Sequence, residues 1–148
     1  MIKIITVGKL KEEYLKKACD DYAKRIAKYH DVEIIEVPHK DSEKGLILER
    51  DLILKHISPK DNVLLMAISG KQTDSKEFSK LVEKSFIKKP NITFIIGGSN
   101  GVHDDIRKIS SSQISFSKMT FPHQVFRLIL LEQIYRAFKI SKNESYHK

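Results

Sequence analysis

Short apolar runs alternate with amphipathic stretches along this chain, and that rhythm predicts its fold class. Ile2 to Val7 is apolar and β-branched and ends at Gly8, which predicts a strand. From Leu10 to Tyr29, residues Tyr14, Ala18, Tyr22 and Ile26 recur every four positions, the spacing of one helix face. Val32 to Val37 predicts a second strand, Pro38 to Lys44 a polar loop, and Leu46, Leu52, Ile53 and Ile57 mark a helix stopped at Pro59. Val63 to Ile68 is continuously apolar, as expected of a strand covered on both faces, and Gly70 punctuates it. A helix near Ser75 to Phe86 follows, with Asp74 and Glu77 spaced as a capping box. Ile92 to Ile96 predicts a fourth strand, Val102 to Ile109 a short helix, Gln113 to Phe116 a fifth strand and about His123 to Ser141 a final helix. The expected class is α/β: a mostly parallel five- to six-stranded sheet with helices on both faces, in a single domain over 1–148.

The final helix is apolar on more than one face, through Val125, Phe126, Leu128, Ile129, Leu130, Leu131, Ile134, Tyr135, Ala137 and Phe138. A helix of that kind is buried on more than one side. One sheet covers one face in so small a domain, so a second copy of the chain is the economical cover for the other, and a homodimer is expected. Burial within the monomer is the alternative.

Charge changes the picture next. Lys plus Arg is 27 against 19 for Asp plus Glu, a formal charge of +8, which favours an anionic partner such as nucleic acid. Part of that charge pairs along the first helix, where Glu12 and Lys16, Glu13 and Lys17, Asp20 and Lys24, and Asp21 and Arg25 stand four apart. The basic excess persists from Arg107 onward, where only Glu132 and Glu144 oppose the cations. Cys19 is the only cysteine, which excludes an intramolecular disulfide and a thiolate metal cluster. The first residues lack the apolar run of a signal peptide, and no stretch of about 18 apolar residues occurs. A soluble cytoplasmic protein with no membrane association is expected.

The densest chemistry lies in the last third. Gly97-Gly98-Ser99-Asn100-Gly101 follows a strand directly, where missing Cβ atoms let backbone approach a ligand. The segment is neither the dinucleotide fingerprint nor a P-loop, and a tight turn without function is its plain alternative. His30, His39, His56, His103, His123 and His147 show no metal-ligand spacing, so no metal is expected. Ser110, Ser111, Ser112, Ser115 and Ser117 lack a nucleophile elbow. Pro122 fits a helix entrance. Tyr146-His147-Lys148 joins an aromatic ring, an imidazole and a cation, a set suited to stacking on a base and holding its phosphate, although an ordered tail that merely docks has the same composition.

Taken together, I-G-G-x-x-G after a strand, S-x-S-x-M-T-F-P-H from Ser115, R-x-x-L-x-E-Q-x-Y-R-A from Arg127 and the closing Tyr-His-Lys resemble the ribosomal RNA large-subunit methyltransferase H family, of the SPOUT class. VGKLKEEY near the start, IIEVP at Ile34 to Pro38 and the strand ending in SGK at Lys71 extend the likeness over the whole chain. The resemblance implies a C-terminal trefoil knot, an obligate homodimer, S-adenosyl-L-methionine as methyl donor, and methylation at N3 of a pseudouridine in a 23S rRNA hairpin loop on the assembled 70S ribosome.

It also implies a site. Met66 borders the adenine, Gly97 contacts the cofactor, and Phe116, Ser117, Lys118, Met119, Thr120 and Phe121 form the enclosing loop. His147 is the candidate for proton removal, Tyr146 for orienting the target base, Arg127 for stabilising negative charge on its carbonyls and Lys148 for an RNA phosphate. Glu132 is expected to anchor the dimer or the tail. The rival readings are a non-catalytic ribosome- or RNA-binding protein of the same fold, and a nucleotide-dependent enzyme using the glycine turn.

Overall fold

The computed structural model describes residues 1–42 and 44–148. Five strands, β1 (Ile2–Val7), β2 (Val32–Val37), β3 (Asp61–Gln72), β4 (Asn91–Ile96) and β5 (Ser112–Ser115), form one sheet in the order β2-β1-β4-β3-β5. Every pairing is parallel, so the mostly parallel sheet holds at its five-stranded size. Between and after the strands come α1 (Glu13–Ile26), α2 (Gly45–Leu54), α3 (Ser75–Lys88), α4 (Asp104–Ile109) and α5 (His123–Ser141).

Strand alternation divides the core into two. Ile2, Ile4, Leu64, Met66, Ile92 and Phe94 face α1, α3 and α5, while Ile5, Val7, Val63, Leu65 and Ile95 face the α2 and α4 side. Both faces are therefore covered, which is why the strands read as unbroken apolar runs. Among the described residues no helix is long and apolar enough to cross a membrane.

Three expectations need correction. In α1 the buried residues are Leu15, Cys19 and Ile26, whereas Tyr14 is 68% exposed. Of the four expected pairs, Asp21–Arg25 closes at 3.0 Å, and Glu13 pairs instead with Lys16, at 3.2 Å. Gly70 does not end its strand, because β3 runs through it to Gln72 with a register shift between Met66 and Lys71. A Cβ at Gly70 would lie 2.5 Å from the carbonyl carbon of Gln113, so this glycine admits β5 alongside.

The cap of α3 follows the sequence, with the Glu77 N–H donating to Asp74 Oδ1 at 2.8 Å. Helix α5 spans His123–Ser141 as expected, and Leu130, Leu131, Ile134, Ala137 and Phe138 are its buried apolar residues. Val125, Leu128, Ile129 and Tyr135 remain only partly covered. Val125, Leu128 and Tyr135 still pack against the core, and Ile129 belongs to neither core cluster.

Candidate active site

The chain order reverses across the sheet, and in open parallel sheets the crevice outside the carboxyl ends of the strands at such a reversal is the usual ligand site. Two crevices open at those carboxyl ends. The first, of about 590 Å³, lies between the ends of β3, β4 and β5 and the 116–121 loop. Its size falls within the range of sites for small molecules.

Seven of the eight residues expected to hold a cofactor meet there: Met66, Gly97, Phe116, Ser117, Met119, Thr120 and Phe121. Lys118 is the exception; it is exposed and does not line the crevice. The glycine turn is built for contact. A Cβ on Gly97 would meet Val102 Cγ1 at 2.8 Å and the Gly101 carbonyl oxygen at 2.9 Å, while Gly101 itself holds φ +75°, a left-handed conformation natural to glycine. The Gly101 N–H closes the turn onto the Gly98 carbonyl at 3.0 Å.

The opposite wall is set by aromatic packing. Phe116 meets Phe78 edge-on at 5.1 Å and Phe126 at 5.6 Å, and Phe121 stacks on Phe126 at 6.3 Å. Within the loop, Ser115 Oγ donates to the Ser117 carbonyl at 2.8 Å and the Met119 N–H to Ser117 Oγ at 3.0 Å. The result is an apolar slot edged by backbone, a shape that suits a flat heteroaromatic ring on a short polar stem. Arg107 and His123 also line it, and the sequence marked neither as a site residue. His123 had a local signal, its place beside Pro122 in the matched motif, and was read only as a helix start.

The second crevice, of about 420 Å³, opens at the ends of β1 and β2 and shares Gly98, Ser99 and His123 with the first. Arg127 sits here and does not line the first crevice. It is 95% buried by side chain, donates from Nη1 to Glu36 Oε2 at 2.9 Å and from Nη2 to the Gly8 carbonyl at 3.2 Å. Its Nε has no hydrogen-bond partner among the described residues. Glu36 Oε2 also accepts the Leu10 N–H at 2.9 Å. Burial raises the Glu36 pKa, but the Leu10 N–H and the Arg127 guanidinium outweigh it and hold the carboxyl below its ordinary value.

The C-terminal tail lies elsewhere. Tyr146 packs edge-on against Tyr135 at 5.0 Å, Arg136 covers its ring at 4.8 Å, and Arg136 Nη1 lies 3.1 Å from His147 Nδ1. Glu132 pairs at 2.9 Å with Arg136, the residue that contacts Tyr146 and His147. Burial, then a hydrogen bond with Tyr22, pushes the Tyr146 phenol up to about 12, so it is neutral at physiological pH. None of Tyr146, His147 and Lys148 lines either crevice of its own chain.

Residues 1–147 match the family described as "Predicted SPOUT methyltransferase". The chain belongs to the SPOUT methyltransferase family. It is 48% identical over 157 aligned positions to the ribosomal RNA large subunit methyltransferase H of Exiguobacterium sp., covering 99% of each chain. It is 47% identical to the protein of that name from Enterococcus faecalis, again over 99% of each, and 45% identical to that of Caldicellulosiruptor saccharolyticus over the full length of both. Among solved structures, the tRNA (m1G37) methyltransferase from Aquifex aeolicus superposes with a TM-score of 0.56 at 17% identity, over 91% of this chain and 69% of that one. At that identity the likeness speaks for the fold alone. As a SPOUT methyltransferase the protein is an enzyme of methyl transfer, and its glycine turn and aromatic-walled loop are the parts of the fold that face one another across the larger crevice.

Proposed function

We propose that this enzyme transfers a methyl group from S-adenosyl-L-methionine to N3 of a pseudouridine in a 23S rRNA hairpin loop, on the 70S ribosome in the cytoplasm, as a knotted homodimer. The observation that carries the proposal is the convergence of Gly97 and the 116–121 loop on one slot of about 590 Å³ at the strand ends. The fit is specific in kind: Met66, Phe116 and Phe121 offer apolar faces to an adenine, the bare Gly97 lets backbone approach, and loop N–H and C=O groups edge the slot.

When bound, S-adenosyl-L-methionine supplies an electrophilic methyl group on a sulfonium. The protein's part is to hold donor and acceptor in near-attack geometry, exclude water and manage one proton. N3 of a uracil-type ring carries a hydrogen that has to leave as the new N–C bond forms. His147 is assigned to accept it and Tyr146, as a neutral phenol, to orient the ring. Because a chain's own tail docks on Tyr135 and Arg136 away from its crevice, the partner copy's tail is the one that completes each site. Lys148 is assigned to an RNA phosphate. Arg127 acts mainly through Glu36 and Gly8, since two of its nitrogens already serve them.

Calorimetry with S-adenosyl-L-methionine, ATP and NAD in parallel, followed by methyl incorporation into 70S ribosomes, tests this reading. Binding of the first alone together with incorporation is expected. Tight ATP or NAD binding would overturn it in favour of a nucleotide-dependent enzyme, and cofactor binding without incorporation would leave a passive ribosome-binding protein. In His147→Ala and Tyr146→Phe variants of unchanged cofactor affinity, wild-type rates would remove that residue from the mechanism.

A further inference from the structure

A second crevice lies beside the proposed donor slot. Its wall is shared with the first through Gly98, Ser99 and His123, so a ring placed in it abuts the donor slot. Lys9 and Lys11 line it and are exposed, which gives the opening a positive charge suited to RNA phosphates. Glu36, whose side chain is about a third exposed at the rim, pairs with the deeply buried Arg127, whose Nε lacks a partner among the described residues. A buried donor without a partner costs stability unless something repays it.

The carboxylate is oriented, not free. Leu10 N–H and Arg127 Nη1 both take Oε2, while Oε1 makes no hydrogen bond among the described residues. Burial opposes ionisation but its two partners prevail, so the group stands ready as an acceptor-only anion at neutral pH. An oriented anion facing a nucleobase crevice reads a ring N–H. Here ring chemistry discriminates: uridine joins its sugar through N1 and keeps only N3–H, whereas pseudouridine joins through C5 and carries a second N–H at N1.

We propose that the second crevice is the acceptor-ring subsite and that Glu36 Oε1 accepts the N1–H of the bound pseudouridine, selecting it over uridine. The inference rests on the methylation reading above. N1 keeps its proton throughout, and the N3 proton is the one removed, so recognition and reaction use different edges of the ring. Arg127 is a positioning residue here: it pins Oε2 and the Gly8 turn, leaving Oε1 as the reading atom. A site built to accept an N–H rejects rings that lack it far more strongly than a merely apolar pocket does.

The test has two independent readouts. In the first, pseudouridine, uridine and 1-methylpseudouridine nucleosides are titrated into the ¹⁵N-labelled wild-type protein without methyl donor, and the Gly8, Lys9 and Leu10 amides are followed. Pseudouridine is expected to shift them at concentrations about ten- to a hundredfold lower than the other two, the ratio of one charge-assisted hydrogen bond. Equal responses to all three, or shifts confined to the first crevice or to another surface, would overturn the proposal. In the second readout, methylation of ribosomes carrying pseudouridine or uridine at the target position is compared for wild type and Glu36→Gln. The Gln amide oxygen inherits the Leu10 and Arg127 bonds, which turns its NH₂ toward the ring N–H, so the preference should collapse toward unity while cofactor affinity holds; the melting temperature should fall because the buried Arg127 loses its counter-charge. A retained preference would overturn the proposal. Absence of methylation on both ribosomes would instead count against the enzymatic reading, and the nucleoside titration would still decide the subsite.

Discussion

The Arg136 guanidinium approaches Nδ1 of His147 at 3.1 Å, and this contact dictates the state of the imidazole. Arginine only donates, and its hydrogen bond to Glu132 raises its pKa further, so Nδ1 is the acceptor and Nε2 carries the hydrogen. A docked His147 therefore has its basic lone pair occupied. Freeing that lone pair requires the tail to leave Arg136, and the same move takes Tyr146 from beneath the guanidinium. Arg136→Ala is expected to convert the single Nε2–H tautomer into a mixture, read from the imidazole ¹⁵N shifts, and to speed carboxypeptidase trimming of the last residues severalfold. An unchanged tautomer would mean that the contact does not hold the tail.

Gly70→Ala tests the seam on which the larger crevice depends. The new Cβ would lie 2.5 Å from the Gln113 carbonyl carbon and 2.6 Å from the Ile114 nitrogen, and this β5 peptide, being backbone, cannot swing away as a side chain would. Overpacking of this kind typically costs about 1–3 kcal/mol. Because Ile114 to Ser117 line the crevice, the variant should lose cofactor affinity as well as stability. Denaturant melts and calorimetry check both, and a stable variant with full affinity would show that β5 can move without cost.

Gly70 also marks where sequence reading stops. Local period located β1, β2, β4 and α5 to within a residue, because one- and two-faced burial impose spacings that neighbouring residues display. The buried face of α1 was misread for a geometric reason. Four helical residues turn about 400°, so a strict four-residue series drifts by about 40° a step and leaves the core stripe. The true stripe mixes steps of three and four through Leu15, Cys19, Tyr22 and Ile26, placing Tyr14 in solvent. Most residues lining the larger crevice were legible as a group because they lie in contiguous motifs. The pairing of Glu36 with Arg127 was not, since 91 residues separate them and nothing local to either points to the other.

At the opposite end of the sheet, Asp61 supplies a pH dependence. Its side chain is fully buried against Lys3, and it also accepts from Asn91 and the Ser58 N–H. Burial would raise its pKa, but these partners lower it from 3.8 to about 2. A depressed carboxylate contributes stability that is fully present above its unfolded value and is lost as pH falls through the folded one. The shift corresponds to about 2 kcal/mol. Urea unfolding at pH 5, 4, 3 and 2 should show wild type losing most of that amount relative to Asp61→Asn, with the change concentrated below pH 4. Parallel curves for the two proteins would rule out Asp61 as the titrating group.

The dimer can be tested on α5 itself. Ile129 is only partly covered and belongs to neither core cluster, whereas Val125 and Leu128 on the same helix pack against the core. Substitution there leaves the monomer's packing intact while placing charge in any interface seated on that residue, where an unpaired buried charge is strongly unfavourable. Ile129→Arg is therefore expected to weaken self-association more than a hundredfold, seen by light scattering, with little change in thermal melting extrapolated to low concentration. Cofactor affinity should fall less than methylation, because the proposed donor slot is lined within one chain while the proposed tail contribution from a second copy would be lost. An Ile129→Arg protein that stays dimeric and fully active would move the interface to another face and remove the reason for bringing the tail from the second copy.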